Sequence, residues 1–246
     1  MVVNKSCVAA CQKSVRMTVE SVSGCSWNEC PDQRGITVRM RVEWVSESAW
    51  NPHSGAENAK AAGFDGVEIH GANGYLLDQF LQSSTNQRTD RYGGSLENRA
   101  RLLLEVTDAA IEVWGAQRVG VHLAPRADAH DMGDADRAET FTYVARALGK
   151  RGIAFICSRE READDSIGPL IKEAFGGPYI VNERFDKASA NAALASGKAD
   201  AVAFGVPFIA NPDLPARLAA DAPLNEAHPE TFYGKGPVGY IDYPRL

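Results

Sequence analysis

From about Gly55 to the C-terminal residue, short apolar runs alternate with amphipathic stretches, and this alternation leaves few folds open to the chain. A strand can reach a parallel neighbour only through a crossover, usually a helix, so the pattern predicts an α/β fold built on a parallel sheet. Five βα units are expected, with strands at Gly66–His70, Arg118–Pro125, Ile153–Ser158, Pro178–Asn182 and Ala201–Gly205, each rich in Val, Ile, Phe or Ala. The clearest helix is expected over Glu97–Trp114, where Leu102, Leu103, Val106, Ala110 and Val113 form an apolar stripe and Ser95 and Asn98 are capping candidates. A second is expected to open at Asn211-Pro212, a side-chain cap followed by proline at the first helical position.

A closed (β/α)8 barrel takes about 250 residues and eight strands. Five units cannot close that ring. An open doubly wound sheet would also hold five parallel strands, but no G-x-G-x-x-G turn follows any of them. Residues 1–54 break the pattern, with one plausible strand at Ile36–Trp44 and otherwise no sustained periodicity. The chain is therefore read as an unassigned segment, 1–54, and a βα part, 55–246. The first segment is either an unrelated extension or the product of a shifted reading frame or misplaced start, and the second explanation is favoured. Cys7, Cys11, Cys25 and Cys30 all lie in it, but C-x3-C and C-x4-C pairs with no supporting histidine are a weak zinc pattern, and no metal site is expected.

The 26 basic and 32 acidic residues leave a formal charge of -6, and no basic cluster tracks a phosphate backbone, so nucleic acid is not an expected partner. No apolar run approaches the roughly 20 residues that span a bilayer, and no signal peptide is apparent, so the expected location is the cytoplasm, without a membrane partner.

The chemistry concentrates where the first predicted strand ends. His70 and Asn73 are separated by a Gly-Ala turn, close enough for both side chains to donate hydrogen bonds to one carbonyl or nitro oxygen. Two such donors draw electron density from a conjugated alkene. Tyr75, two residues further on, carries a phenolic proton and can act as a general acid. Taken singly, a histidine at a strand end or a tyrosine in a turn is more often a packing residue. Their coincidence at one strand end, which in a barrel is the active face, favours function.

The run E-I-H-G-A-N-G-Y-L-L-D-Q-F-L and the following S-S-T-N-Q-R-T-D-R-Y-G-G-S-L-E-N-R-A-R, from Ser83 to Arg101, closely resemble Old Yellow Enzyme-type alkene reductases. The resemblance continues through V-G-V-H-L-A-P from Val119, A-D-A-V-A-F-G-V-P-F-I-A-N-P-D-L from Ala199 and T-F-Y-G-K-G-P-V-G-Y-I-D-Y-P from Thr231, covering about residues 55–246. It implies that residues 55–246 are the C-terminal part, about five βα units, of a TIM barrel that holds FMN, takes reducing equivalents from NAD(P)H and reduces small electrophilic alkenes, or nitro compounds and nitrate esters. By the same resemblance His70 and Asn73 would bind the activating group, Tyr75 would protonate the α-carbon from the face opposite the flavin, and Tyr233 would shape the pocket. The cofactor would meet His122, Asn182, Arg184, Gly205 and Val206.

Several of those cofactor positions depart from the commoner pattern. His122 stands where many relatives have an arginine at the flavin's pyrimidine edge, Val206 stands where they often have a phosphate-binding arginine, and Glu183-Arg184 replaces a Gly-Gly turn. Nothing in residues 1–54 matches the early strands that supply a threonine and a glutamine beneath the flavin. Open strand edges on a partial barrel would favour pairing with another chain, a homo-oligomer included. The alternative to an enzyme is thus a truncated, non-catalytic remnant or interaction module that binds no flavin. A barrel enzyme of another class, using phosphate at Asn182 and Gly205, explains less, because it gives no reason for His70, Asn73 and Tyr75 to occur together.

Overall fold

The computed structural model describes residues 50–126, 132–234 and 236–246. The expected strand Ile36–Trp44 and the four N-terminal cysteines lie outside them. The described elements run α1 (Trp50–Ala61), β1 (Val67–Gly71), α2 (Leu76–Leu81), α3 (Leu96–Trp114), β2 (Val119–Leu123), α4 (Arg137–Arg151), β3 (Phe155–Arg159), α5 (Gly168–Phe175), β4 (Tyr179–Asn182), α6 (Lys187–Ala195), β5 (Ala201–Ala203), α7 (Val206–Ala210) and α8 (Leu214–Ala220). The strands form one parallel sheet in the order β1-β2-β3-β4-β5, each at or within a few residues of its sequence-predicted run. Helix α1 runs across the division at residues 54 and 55.

The register sorts the strand residues between two faces. Ile69 lies opposite Val121, Val121 opposite Ile156 and Ile156 opposite Tyr179, so these four share one face. Val121, Ile156 and Tyr179 are almost wholly buried there, under the helices. On the other face His70 lies opposite His122, His122 opposite Cys157, Cys157 opposite Ile180 and Ile180 opposite Ala201. In a barrel this second face is the interior. Apart from Gly120 and Cys157, its residues are only half buried or exposed. β1 pairs only with β2, and β5 only with β4, among the described residues. The sheet is thus a five-stranded arc with one finished face and one open one, which is the partial TIM barrel expected.

Helix α3 shows how the finished face is held. Ala100, Leu102, Leu103, Val106, Ala110 and Trp114 are buried, and Ser95 Oγ accepts the Asn98 N–H as the N-cap. The Asn98 side chain does not cap; its amide donates to Gly93 O at 3.0 Å. Trp114 Nε1 donates to Ala56 O at 3.0 Å, fixing α1 against α3, with Ala110 and Val119 in the same cluster. Removing such an indole would cost about 3–5 kcal/mol.

The helix expected at Asn211-Pro212 begins instead at Leu214, with Asp213 at the N-cap position. The reason lies in the Asn211 side chain, which does not cap: its Nδ2 donates to Pro207 O, and its Oδ1 accepts the Asn225 N–H at 2.7 Å. Asn211 therefore joins α7 to the chain beyond α8. Arg217 and Asn225 then both donate to Pro244 O and pin the tail.

Candidate functional site

β1 delivers the His70-Asn73-Tyr75 cluster to the C-terminal end of the sheet. The chain turns there through Asn73 at φ 61° and Gly74 at φ 74°, two consecutive left-handed residues. Asparagine and glycine are the residue types that tolerate this conformation best. The turn is held from α2: the buried Asp78 accepts the Gly74 N–H at 2.9 Å, and Gln79 donates to Gly74 O. Burial pushes the Asp78 carboxyl up, against hydrogen bonds from Gln82 and Gly74 that favour its ionised form. Tyr75 sits at the N-cap position of α2, 58% exposed as a residue, and its ring centroid is 5.5 Å from that of His70. The three predicted residues are therefore brought to one mouth.

The long run from Ser83 to Arg101, which follows this mouth in the chain, is held by its own network of hydrogen bonds. Asn86 Nδ2 donates to the carbonyls of Phe80 and Tyr92, while Asn86 Oδ1 accepts the Arg88 N–H. Arg88 forks onto Asp90, and Tyr92 is buried. Arg99 reaches back to Leu81 O at 3.0 Å and across to Thr140 on α4. These bonds consolidate the loop between α2 and α3.

Beside His70 on the interior face lies His122, their rings 5.3 Å apart and nearly edge-on. His122 Nε2 is buried without a hydrogen-bond partner among the described residues. Burial lowers its pKa to about 4, helped by the neighbouring charges of His70 and Arg159, so the ring is neutral at neutral pH. It can exchange one hydrogen bond with a ligand there but does not supply the fixed charge of an arginine. The adjacent interior position is filled by Phe155, whose ring lies over Gly120: a Cβ on that glycine would sit 2.3 Å from the ring.

The expected cofactor positions are more scattered. Asn182, at the end of β4, donates to Ala203 O at 2.8 Å and ties β4 to β5. Glu183 and Arg184 follow at φ 97° and 59°, so a pair of side-chain-bearing residues holds the left-handed backbone that glycines hold without strain. Arg184 is exposed, with no ion pair among the described residues. Glu183 does not oppose an anion freely, because its carboxylate is engaged by Arg159 at 3.4 Å. Gly205 and the half-exposed Val206 stand at the start of the five-residue α7. Tyr233 is 99% exposed and stacks on no other aromatic ring among the described residues. Burial drives Cys157, next to His122 in register, up to about 12, so it is a thiol and not a thiolate nucleophile.

Sequence reasoning missed Arg159. It ends β3 on the interior face, opposite Asn182, and its Nη1 donates to Asn73 Oδ1 at 2.7 Å. The signal was its parity with Cys157, which becomes visible only once the interior residues of β3 are known. A cavity of about 550 Å³ bordered by Ser158, Tyr179 and Val181 lies toward the other face of the sheet, away from His70.

The family model described as NADH:flavin oxidoreductase / NADH oxidase matches residues 20–225. That match begins well before residue 55, inside the segment left unassigned from the sequence. The chain is 48% identical over 196 residues to a probable flavin mononucleotide-dependent alkene reductase of Leishmania infantum, covering 77% of this chain and 53% of that protein. It is 45% identical over 201 residues to 12-oxophytodienoate reductase 2 of Arabidopsis thaliana, covering 78% and 54%. Among solved structures, morphinone reductase in complex with tetrahydroNAD is similar with a TM-score of 0.81 at 44% identity, over 84% of this chain and 57% of that one. The Old Yellow Enzyme homologue from Zymomonas mobilis gives 0.81 at 41%, over 84% and 61%. The chain thus spans about half the length of the curated relatives it matches.

Proposed function

Because this chain belongs to the NADH:flavin oxidoreductase / NADH oxidase family, within its Old Yellow Enzyme branch, we propose that it carries the substrate half of an FMN-dependent, NAD(P)H-driven reductase of activated alkenes. The observation that carries this reading is the convergence of His70, Asn73 and Tyr75 on one mouth, beside a buried histidine nitrogen that lacks a partner among the described residues. That orphaned His122 Nε2 is the fit for the flavin ring edge. Arg184 would meet the phosphate with its guanidinium, Asn182, Gly205 and Val206 would border it, and Tyr233 would close over the substrate. Bound FMN would supply the reducing electrons, drawn from NADH or NADPH.

The protein's own residues then act on the alkene. His70 and Asn73 donate to the oxygen of its carbonyl or nitro group, which withdraws electron density and stabilises the negative charge that develops there. Burial lowers the His70 pKa, keeping the ring a neutral donor at neutral pH. Tyr75 O–H gives its proton to the α-carbon and is re-protonated from water, to which the residue is open. No described helix is long and apolar enough to cross a membrane, and a cytoplasmic location, where NAD(P)H is supplied, belongs to the same proposal. So does the division into a first segment, 1–54, and a barrel part, 55–246.

A second reading is favoured by the open interior face and by β1 and β5 each pairing on one side only among the described residues: a non-catalytic remnant that binds no flavin. The deciding experiment adds FMN to the purified full chain, removes the excess and records the visible spectrum. Stoichiometric bound flavin that NAD(P)H bleaches and an enone restores supports the reductase. A colourless chain supports the remnant.

A further inference from the structure

Arg159 spans the mouth between two turns that are far apart in the chain. Its Nη1 donates to Asn73 Oδ1 at 2.7 Å, after β1, and its Nη2 and Nε face the Glu183 carboxylate at 3.4 Å, after β4. The orientation of an asparagine amide is ordinarily ambiguous, since oxygen and nitrogen can exchange places. Here the partner decides it, because a guanidinium carries donors only and must face the amide oxygen. The Asn73 NH2 is then the group turned away from Arg159, and the donor it can offer a ligand is fixed before any ligand arrives. Asn73 is also held by its backbone, through Gly74 and Asp78. Glu183 in turn restricts the guanidinium, which is about one-third exposed and would otherwise be free to swing into solvent.

We infer that Arg159 is a positioning residue, which orients the Asn73 amide as a hydrogen-bond donor toward the substrate's activating oxygen and couples that donor to the Glu183-Arg184 turn. The inference rests on the reading of Asn73 as a substrate ligand. A neutral residue in place of Arg159 would let the amide rotate and present its oxygen to the substrate oxygen, replacing an attraction by a repulsion.

The test uses the full chain, labelled with 15N. The Asn73 side-chain NH2 signals are identified by their loss in Asn73→Ala. In Arg159→Met they are expected to shift and to exchange faster with solvent; in Arg159→Lys, which keeps the charge but not the fork, they are expected to move part of the way. Signals unchanged in both variants would overturn the inference, without needing flavin. With FMN bound, Arg159→Met is expected to lower kcat/KM for an enone roughly tenfold, as fits the loss of a hydrogen bond to a charged group. The same substitution made on Asn73→Ala is expected to cost nothing more, because the oriented group is gone. An equal loss in both backgrounds would mean that Arg159 acts otherwise. If Asn73→Ala alone leaves kcat/KM unchanged, the reading of Asn73 as a substrate ligand fails, while the NH2 signals still decide what Arg159 does.

Discussion

The rings of His70 and His122 lie 5.3 Å apart, edge to face, on the interior face of adjacent strands. Two imidazolium charges at that distance would repel, and burial of His122 already disfavours its charged form. The folded protein therefore keeps His122 neutral down to about pH 4, while the unfolded chain takes up that proton near the ordinary histidine value of 6.5. Because the unfolded state binds more protons across this window, stability is present in full above it and is lost as the pH falls through it. The loss at His122 should amount to roughly 3 kcal/mol by pH 4. Urea midpoints measured between pH 7 and 4 should show the slope, and His122→Gln should flatten it.

Tyr75→Phe should separate the two halves of the proposed catalytic cycle. The ring beside His70 is retained and the hydroxyl that carries the proton is lost. In flavin-loaded protein the step that consumes NAD(P)H should run as before, and the step that consumes the alkene should slow about 10²–10⁴-fold. Rapid-mixing absorbance of each half-reaction checks this, and equal slowing of both would remove Tyr75 from the proton-donor role.

Arg184→Gly should move stability and cofactor affinity in opposite directions. Arg184 holds φ 59°, which costs a side-chain-bearing residue about 1 kcal/mol more than glycine, so the melting temperature should rise by a few degrees. The same change removes an exposed guanidinium from the proposed phosphate position, so FMN titration should show weaker binding. Tighter FMN binding would place the phosphate elsewhere.

Asn86→Ala tests the loop that follows the mouth in the chain. The substitution leaves the Tyr92 carbonyl without the Asn86 amide and should cost about 2–3 kcal/mol, read as an earlier thermal transition. At temperatures where the variant stays folded, its KM for alkenes should match the parent's. A raised KM would give Asn86 a part in the site itself.

Much of this was legible in the residues. Apolar residues located all five strands because the face under the helices is filled by residues such as Ile69, Val121, Ile156 and Tyr179, and even the open face keeps Cys157, Ile180 and Ala201 among its polar residues. The His70, Asn73 and Tyr75 cluster was legible because its members are neighbours in the chain. Arg159 was not, because its partners Asn73 and Glu183 come from the ends of other strands and meet it only through the sheet register. The helix at Leu214 was misread for a similar reason: Asn211-Pro212 has the local chemistry of a helix start, but the Asn211 amide is taken by Pro207 and Asn225. The substitution of Glu183-Arg184 for glycines was visible, yet the positive φ of both residues was not.

The Arg159–Glu183 contact also bears on any attempt to retrain the site for a new substrate. A library that randomises the turn after β4 would loosen the guanidinium and, through it, the amide of a residue on a different turn. Winners at 183 selected with Arg159 present would then behave as different alleles when it is absent. Positions 73, 159 and 183 are therefore one mutational unit, to be varied together.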